Sequence, residues 1–409
     1  MAGSNRRVVL SGGALKGEAM IDSNTIDGLL ENAVAGGALP GVIAVAGDRD
    51  GTLYEGAFGC LSVDGEEPVR MDTMLAIASM TKAIASVAAL QLIERGLVEL
   101  EAPVASVLPA FGELQVLEGF DGETPRLRAP AGQASIRQLL THTSGLGYAF
   151  GNADLLRYYE FHGIDPFSLG HAMLDGVPLV ADPGTRWEYG TSTDWLGQVV
   201  QALSGQDLAA YCEQHIFTPL GMTDTTFTPS EQQSARMMAL HARGPDGGLA
   251  LSPLQLSSDP GFFSGGAGAY STAGDYLRFM RALLRGGELD GERILAPETT
   301  ELMFSDHLNG APLPEVMRSA LPELTNDVPA LPVPQGWGLG LNLLLQDIPG
   351  MRRAGTGSWA GLFNCYYWID RATGVSAAIF TQLLPFFDAR TVQSMLELNG
   401  AVFGAVEGS

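Results

Sequence analysis

The sequence predicts an α/β (α+β) protein in which one sheet domain is built from both ends of the chain and a mainly helical domain is inserted between them. Three observations lead to that class. Strand signals cluster near the amino terminus, over 41–58, and return in the last third, over 338–381. Between them lie short helical segments joined by long loops rich in Pro and Gly. The expected boundaries are 21–75 and 270–409 for the sheet domain and 76–269 for the helical one. Residues 1–20 are Gly-rich, carry no clear period, and read as a loose arm.

Taken in order, the apolar positions Ile26, Leu29, Leu30 and Val34 recur at helical spacing between Asp22 and Ala35, and Gly36-Gly37 ends the pattern. Gly41–Gly47 reads as a buried strand. Asp48-Arg49-Asp50-Gly51 is a turn, and Thr52–Phe58 a second strand. The Ala- and Leu-rich segment from Thr81 to Glu94, stopping before Gly96, predicts a buried helix. Ser271–Leu284 predicts another, with Ser271 or Thr272 near its start. Strands follow over Gly338–Leu345, Leu362–Ile369 and Val375–Thr381, and Thr391–Val402 closes the chain as a helix.

Composition narrows the function classes. Apolar residues make up 46% of the 409 and charged ones 17%, enough for a large core and far from a disordered chain. The net charge of −23 repels nucleic acid phosphates and anionic membranes, so neither is an expected partner; a small molecule is. Cys60, Cys212 and Cys365 have no metal-ligand spacing and their number is odd, which points to a reducing, cytoplasmic setting rather than a disulfide framework. The run Val8-Val9-Leu10 is too short for a signal-peptide core, and no stretch reaches the ~18 apolar residues of a membrane span.

Chemistry is carried first by Ser79-Met80-Thr81-Lys82, at the head of the buried helix. A three-residue offset puts Ser79 and Lys82 on one helical face, about 5–6 Å apart at Cβ. A serine hydroxyl becomes a nucleophile when a neighbouring base takes its proton, and a lysine serves once burial or a nearby cation lowers its pKa. The helix amino terminus adds partial positive charge and a free N–H where an oxyanion forms. The bland alternative is an N-cap serine beside a solvated lysine. It sits poorly with Ala83-Ile84-Ala85, since an idle charge within an apolar helix is costly.

Two further segments matter. Trp187-Glu188-Tyr189-Gly190-Thr191-Ser192 follows a turn, so Tyr189 is either a phenolate-type base beside a lysine or a half-buried aromatic with a satisfied hydroxyl. Gly355-Thr356-Gly357-Ser358-Trp359-Ala360-Gly361-Leu362 leads into a strand, not a helix, so it fails as a dinucleotide fingerprint but lets a substrate approach backbone N–H groups. Elsewhere there is no Gly-x-Ser-x-Gly elbow. His142 reads as part of a helix-to-loop joint, and the other histidines show no paired ligand spacing, so no metal is expected. Tyr148 is a pocket wall or a packed surface aromatic.

Ser79-x-x-Lys82, then Tyr189 and the glycine-containing strand, resemble the serine β-lactamase and DD-peptidase superfamily, and within it the family VIII carboxylesterases and related acyltransferases. Leu139–Leu146, Pro219-Leu220-Gly221-Met222 and Ser264-Gly265-Gly266-Ala267-Gly268 support the resemblance, which covers roughly 25–400. It implies a serine β-lactamase-like fold, an antiparallel sheet flanked by helices, with no metal or organic cofactor. It implies Ser79, Lys82 and Tyr189 as catalytic residues and the N–H groups of Ser79 and Leu362 as oxyanion hole. Trp359, Gly361, Tyr148 and Thr191 would meet substrate. Two departures stand out. Thr191 takes the place of the β-lactamase asparagine, and Trp359-Ala360-Gly361 that of Lys-Thr-Gly, although a register with Gly355-Thr356-Gly357-Ser358 there stays open. Arg352 and Arg353 keep some anion recognition possible.

The resemblance thus implies a serine carboxylesterase working on short-chain esters through an acyl-enzyme on Ser79. An acyltransferase, a β-lactamase or DD-peptidase, and a catalytically silent binding protein on the same fold are the alternatives. The loops show no long apolar groove, so acetyl to butyryl esters are expected to be preferred.

Overall fold

The computed structural model describes residues 22–254 and 257–407, so the expected arm at 1–20 lies outside the described residues. The helix Ser23–Ala35 starts on Asp22, whose carboxylate accepts from Asn24 N–H. Strands β1 (Gly41–Asp48) and β2 (Thr52–Gly59) then pair antiparallel, with Ile43 opposite Ala57. The remaining strands of the main sheet come from the far end of the chain: β3 (Gln335–Trp337), β4 (Asn342–Leu344), β5 (Gly357–Gly361), β6 (Cys365–Asp370) and β7 (Val375–Phe380). Their order across the sheet is β3-β4-β5-β6-β7-β1-β2, every neighbouring pair antiparallel. The expected mixed fold with an antiparallel sheet fed from both termini is therefore present.

Burial on both faces explains why β1 reads as a continuous apolar run rather than an alternating one. Ile43 and Val45 join the larger core beneath the helices Thr81–Glu94 and Ala273–Leu284. Val42, Ala44 and Ala46 point the other way, into a second core closed by Ser23–Ala35 and the carboxyl-terminal helix Ala389–Glu407. The helix Thr81–Glu94 is buried on all sides, from Thr81 through Leu92, and packs against the helix Ser192–Ser204. An all-round apolar helix is stable only with protein on every face.

Two expected strands are redrawn. Gly338–Leu345 is not one strand but β4 with the turn before it. Gly338 N–H bonds Leu341 C=O, and Gly340 takes φ +97°, a left-handed conformation that only glycine adopts without strain. The strand expected from Leu362 begins at Cys365, because Leu362-Phe363-Asn364 forms the turn out of β5, with Asn364 at φ +60°. Periodicity cannot locate either turn, since leucines and a phenylalanine fill them and pack below. No helix among the described residues is long and apolar enough to cross a membrane.

Candidate active site

Ser79 lies in a tight turn, Ala78–Met80, that runs straight into the helix Thr81–Glu94. The preceding Ala78 holds φ +44°, unusual for a residue with a Cβ, and such strain persists only where the surroundings over-determine it. They do so here. Thr81 Oγ1 donates to Ala78 C=O at 2.6 Å, Ala269 N–H donates to Thr81 Oγ1 at 3.1 Å, and Tyr276 hydroxyl donates to Met80 C=O at 3.0 Å. On the other side the end of β5 abuts the turn. A Cβ on Gly361 would overlap the Ile77 carbonyl, so only glycine permits that approach. Leu362 follows at once, its side chain packed with Ala78.

Lys82 is 2% exposed, and its ammonium finds three oxygen acceptors. Nζ donates to Ser79 Oγ at 3.2 Å, to Tyr148 Oη at 3.1 Å and to Gly266 C=O at 2.8 Å. Three donors meet three acceptors, which satisfies a buried charge. The expected Ser79–Lys82 contact is thus present.

Tyr189 is also brought to Lys82, but by its ring: Nζ sits 4.7 Å from the ring centroid, a cation–π contact. Its hydroxyl accepts from Trp359 Nε1 at 3.2 Å. The phenol that bonds Lys82 is that of Tyr148, which in turn donates to Asp194 Oδ2 at 3.0 Å. Burial, and then the Asp194 charge, hold the Tyr148 phenol well above its ordinary range, so it stays protonated. Tyr148 is therefore more than a wall residue.

Around this pair stand aromatic rings. Tyr189 packs at 5.1 Å on Trp359, and Trp359 at 4.7 Å on Trp337. His142 is wedged among Trp187, Tyr189 and Trp337, and burial first, then the Lys82 charge, keep it neutral. Against Ala78 a second apolar group forms from Phe150, Phe167, Leu254, Leu321 and Leu362. Trp359 lies within β5, paired with Tyr367 on β6, and its indole reaches Tyr189, while Gly355 precedes β5. Thr191 is fully buried at the start of the helix Ser192–Ser204, with Oγ1 unpartnered. Arg352 is turned to the carboxyl-terminal helix, onto Trp368 and Met395, and Arg353 pairs with Asp347 and lies over Phe403. Those contacts take both side chains toward the carboxyl-terminal helix.

Sequence reading overlooked Asp194 and the Gly266 carbonyl. The available signal was an aspartate opening the apolar run Trp195-Leu196, five positions after Tyr189, where a carboxylate needs a reason to be. Among the described residues no group of three or more His, Cys, Asp or Glu side chains could hold a metal ion.

A serine at the head of a helix, a buried lysine bonded to it and the end of β5 pressed on the strained turn are the arrangement expected of a serine acyl-transfer centre of the penicillin-recognising type. The Beta-lactamase family profile matches residues 26–400, and the chain belongs to that family. It is 34% identical over 394 residues to a monacolin J acid methylbutanoyltransferase of Aspergillus terreus, covering 87% of this chain and 89% of that one. It is 32% identical over 369 residues to a lovastatin esterase of Penicillium rubens, covering 85% and 89%. The unliganded structure of simvastatin synthase (LovD) from Aspergillus terreus superposes with a TM-score of 0.79 at 29% identity, covering 96% of this chain and all of that one. Of these relatives, one is thus named as an acyltransferase and one as an esterase.

Proposed function

We propose that the protein is a serine acyltransferase that carries a carboxylic acyl group on Ser79 and delivers it to an alcohol, with hydrolysis as the branch taken when water is the acceptor. The observation that carries the reading is the 3.2 Å contact between Lys82 Nζ and the half-buried Ser79 hydroxyl. A short-chain carboxylesterase was the expectation from sequence. The relatives named as acyltransferases, and the apolar group of Phe150, Phe167, Leu254, Leu321 and Leu362 beside Ala78, favour an acceptor larger than water.

In the first half-reaction Ser79 Oγ attacks the ester carbonyl and its proton passes to neutral Lys82. The N–H groups of Ser79 and Leu362 receive the oxyanion. Collapse of the intermediate breaks the bond to the donor alcohol, whose oxygen takes a proton from Lys82 or from Tyr189. The acceptor hydroxyl then repeats the steps in reverse and frees Ser79. No lysine takes the position that binds an antibiotic carboxylate; the indole of Trp359 does, so a β-lactam finds an apolar surface where it needs a cation.

The test is partition. p-Nitrophenyl butyrate is offered with and without a hydrophobic primary alcohol, and products are separated by chromatography. Butyrate ester of the added alcohol should form in excess over free butyrate, with nitrocefin turned over far more slowly than the ester. Free butyrate alone at every alcohol concentration would return the protein to the esterases, and nitrocefin turnover matching that of the ester would make it a β-lactamase.

A further inference from the structure

Asp194 lies in the first turn of the helix Ser192–Ser204 and is fully buried, beside Trp195 and Leu196. A carboxylate there is costly unless its oxygens are satisfied. Oδ2 accepts from the Tyr148 hydroxyl at 3.0 Å, and Oδ1 accepts from the Ser264 hydroxyl at 2.5 Å and from Gly266 N–H at 3.0 Å. Two of these donors lead straight back to Lys82, because Nζ donates to Tyr148 Oη and to Gly266 C=O. Asp194 has no ion pair among the described residues, so Lys82 is the cation its hydrogen bonds reach. A closed loop joins a buried anion to a buried cation through one phenol and the backbone of one residue, Gly266.

We propose that Asp194 is a positioning residue for acyl transfer. Through Tyr148 and the Gly266 loop it holds Lys82 Nζ against Ser79 Oγ, and its negative charge acts on Lys82 along the same hydrogen bonds. The inference rests on the Ser79–Lys82 reading above. The three acceptors around Nζ suit an ammonium. An ammonium must first lose one proton to solvent before it can serve as a base. The neutral amine then takes the Ser79 proton while Oγ bonds the acyl carbon and the carbonyl electron pair moves onto oxygen. Asp194 stabilises the ammonium, so it delays the first step as pH rises and secures the geometry of the second. Tyr148, kept protonated, is the neutral connector. The other titratable groups facing this loop are His142, held neutral, Tyr159, whose phenol burial and then Asp194 push up, and Tyr189, whose ring lies beneath Nζ.

The experiment is the pH profile of kcat/KM for p-nitrophenyl butyrate in wild type, Asp194→Asn, Tyr148→Phe and Ser79→Ala, with circular dichroism to establish folding. Asp194→Asn keeps the shape and removes the charge. Its acid limb should move to lower pH by about one unit, with kcat falling more than KM rises. Tyr148→Phe cuts the connector and should move the limb in the same direction; it carries the test alone if Asp194→Asn does not fold. Profiles of the folded variants that superimpose on wild type, or move to higher pH, overturn the role of Asp194. Sustained turnover by Ser79→Ala would instead overturn the underlying reading.

Discussion

At the residue scale the proposed chemistry rests on a single hydroxyl, that of Ser79. Removing it in Ser79→Ala should lower ester turnover by about 10³-fold or more while leaving the fold intact, because Ser79 is half-buried and its turn is held by Thr81, Ala269 and Tyr276 rather than by its own side chain. Steady-state kinetics with a melting curve on the same sample checks both halves. Trp359 behaves differently. Its indole donates to Tyr189 and packs on Trp337, so it belongs to the wall and to the core together. Trp359→Ala should cost about 1–3 kcal/mol in kcat/KM and also lower the melting temperature. A variant that melts lower with unchanged kinetics in the folded fraction would make Trp359 a packing residue alone.

What matters among the elements is how closely β5 approaches the Ser79 turn. Gly361 meets the Ile77 carbonyl at a separation that leaves no room for a methyl group. Gly361→Ala must therefore push strand and turn apart, and with them the two N–H groups assigned to the oxyanion. A displacement of roughly 1 Å costs on the order of 10²-fold in rate, so kcat should fall by about that factor while the seven-stranded ladder survives. Unchanged kcat in a folded Gly361→Ala protein would remove Leu362 from the oxyanion hole. This contact pairs residues 77 and 361, and no local pattern in either segment announces it.

For the whole molecule, the two ends of the chain must be locked to one sheet. The pair Arg243–Asp388 does part of this, at 2.5 and 3.0 Å with both side chains largely buried, while Asp388 also accepts from Thr391 N–H at the start of the last helix and Arg243 donates to Ala38 C=O. Burial pushes the Asp388 carboxyl up, but Arg243 and Thr391 outweigh it and the net shift is downward. A depressed folded-state pKa stabilises the protein above the unfolded value of about 4, and that stabilisation is lost as pH falls from there through the lower folded value. Asp388→Asn should thus melt lower at pH 7, by about 2 kcal/mol, and lose less stability than wild type between pH 5 and pH 3. Parallel melting curves for the two proteins across that range would show that Asp388 does not contribute to acid unfolding.

The order of elements, the helix Thr81–Glu94 to its exact ends and the Ser79–Lys82 pairing were legible in the sequence, because each is set by neighbours within one or two helical turns or by an apolar run long enough to bury. Tyr189 and Trp359 were singled out through resemblance, and Tyr189 lies against Lys82 with Trp359 bonded to it. The turns at Gly338–Leu341 and Leu362–Asn364 were not legible, since apolar residues fill them. Nor was the partner of Lys82. Whether Tyr148 or Tyr189 offers Nζ its hydroxyl depends on where loops 66 and 107 residues further along the chain come to rest, and both are tyrosines near the same helix end. Asp194 reads as one carboxylate among 46 acidic residues until folding removes water from it. Local chemistry pointed to Ser79 and its lysine; desolvation and long-range packing decided which phenol and which anion stand behind them.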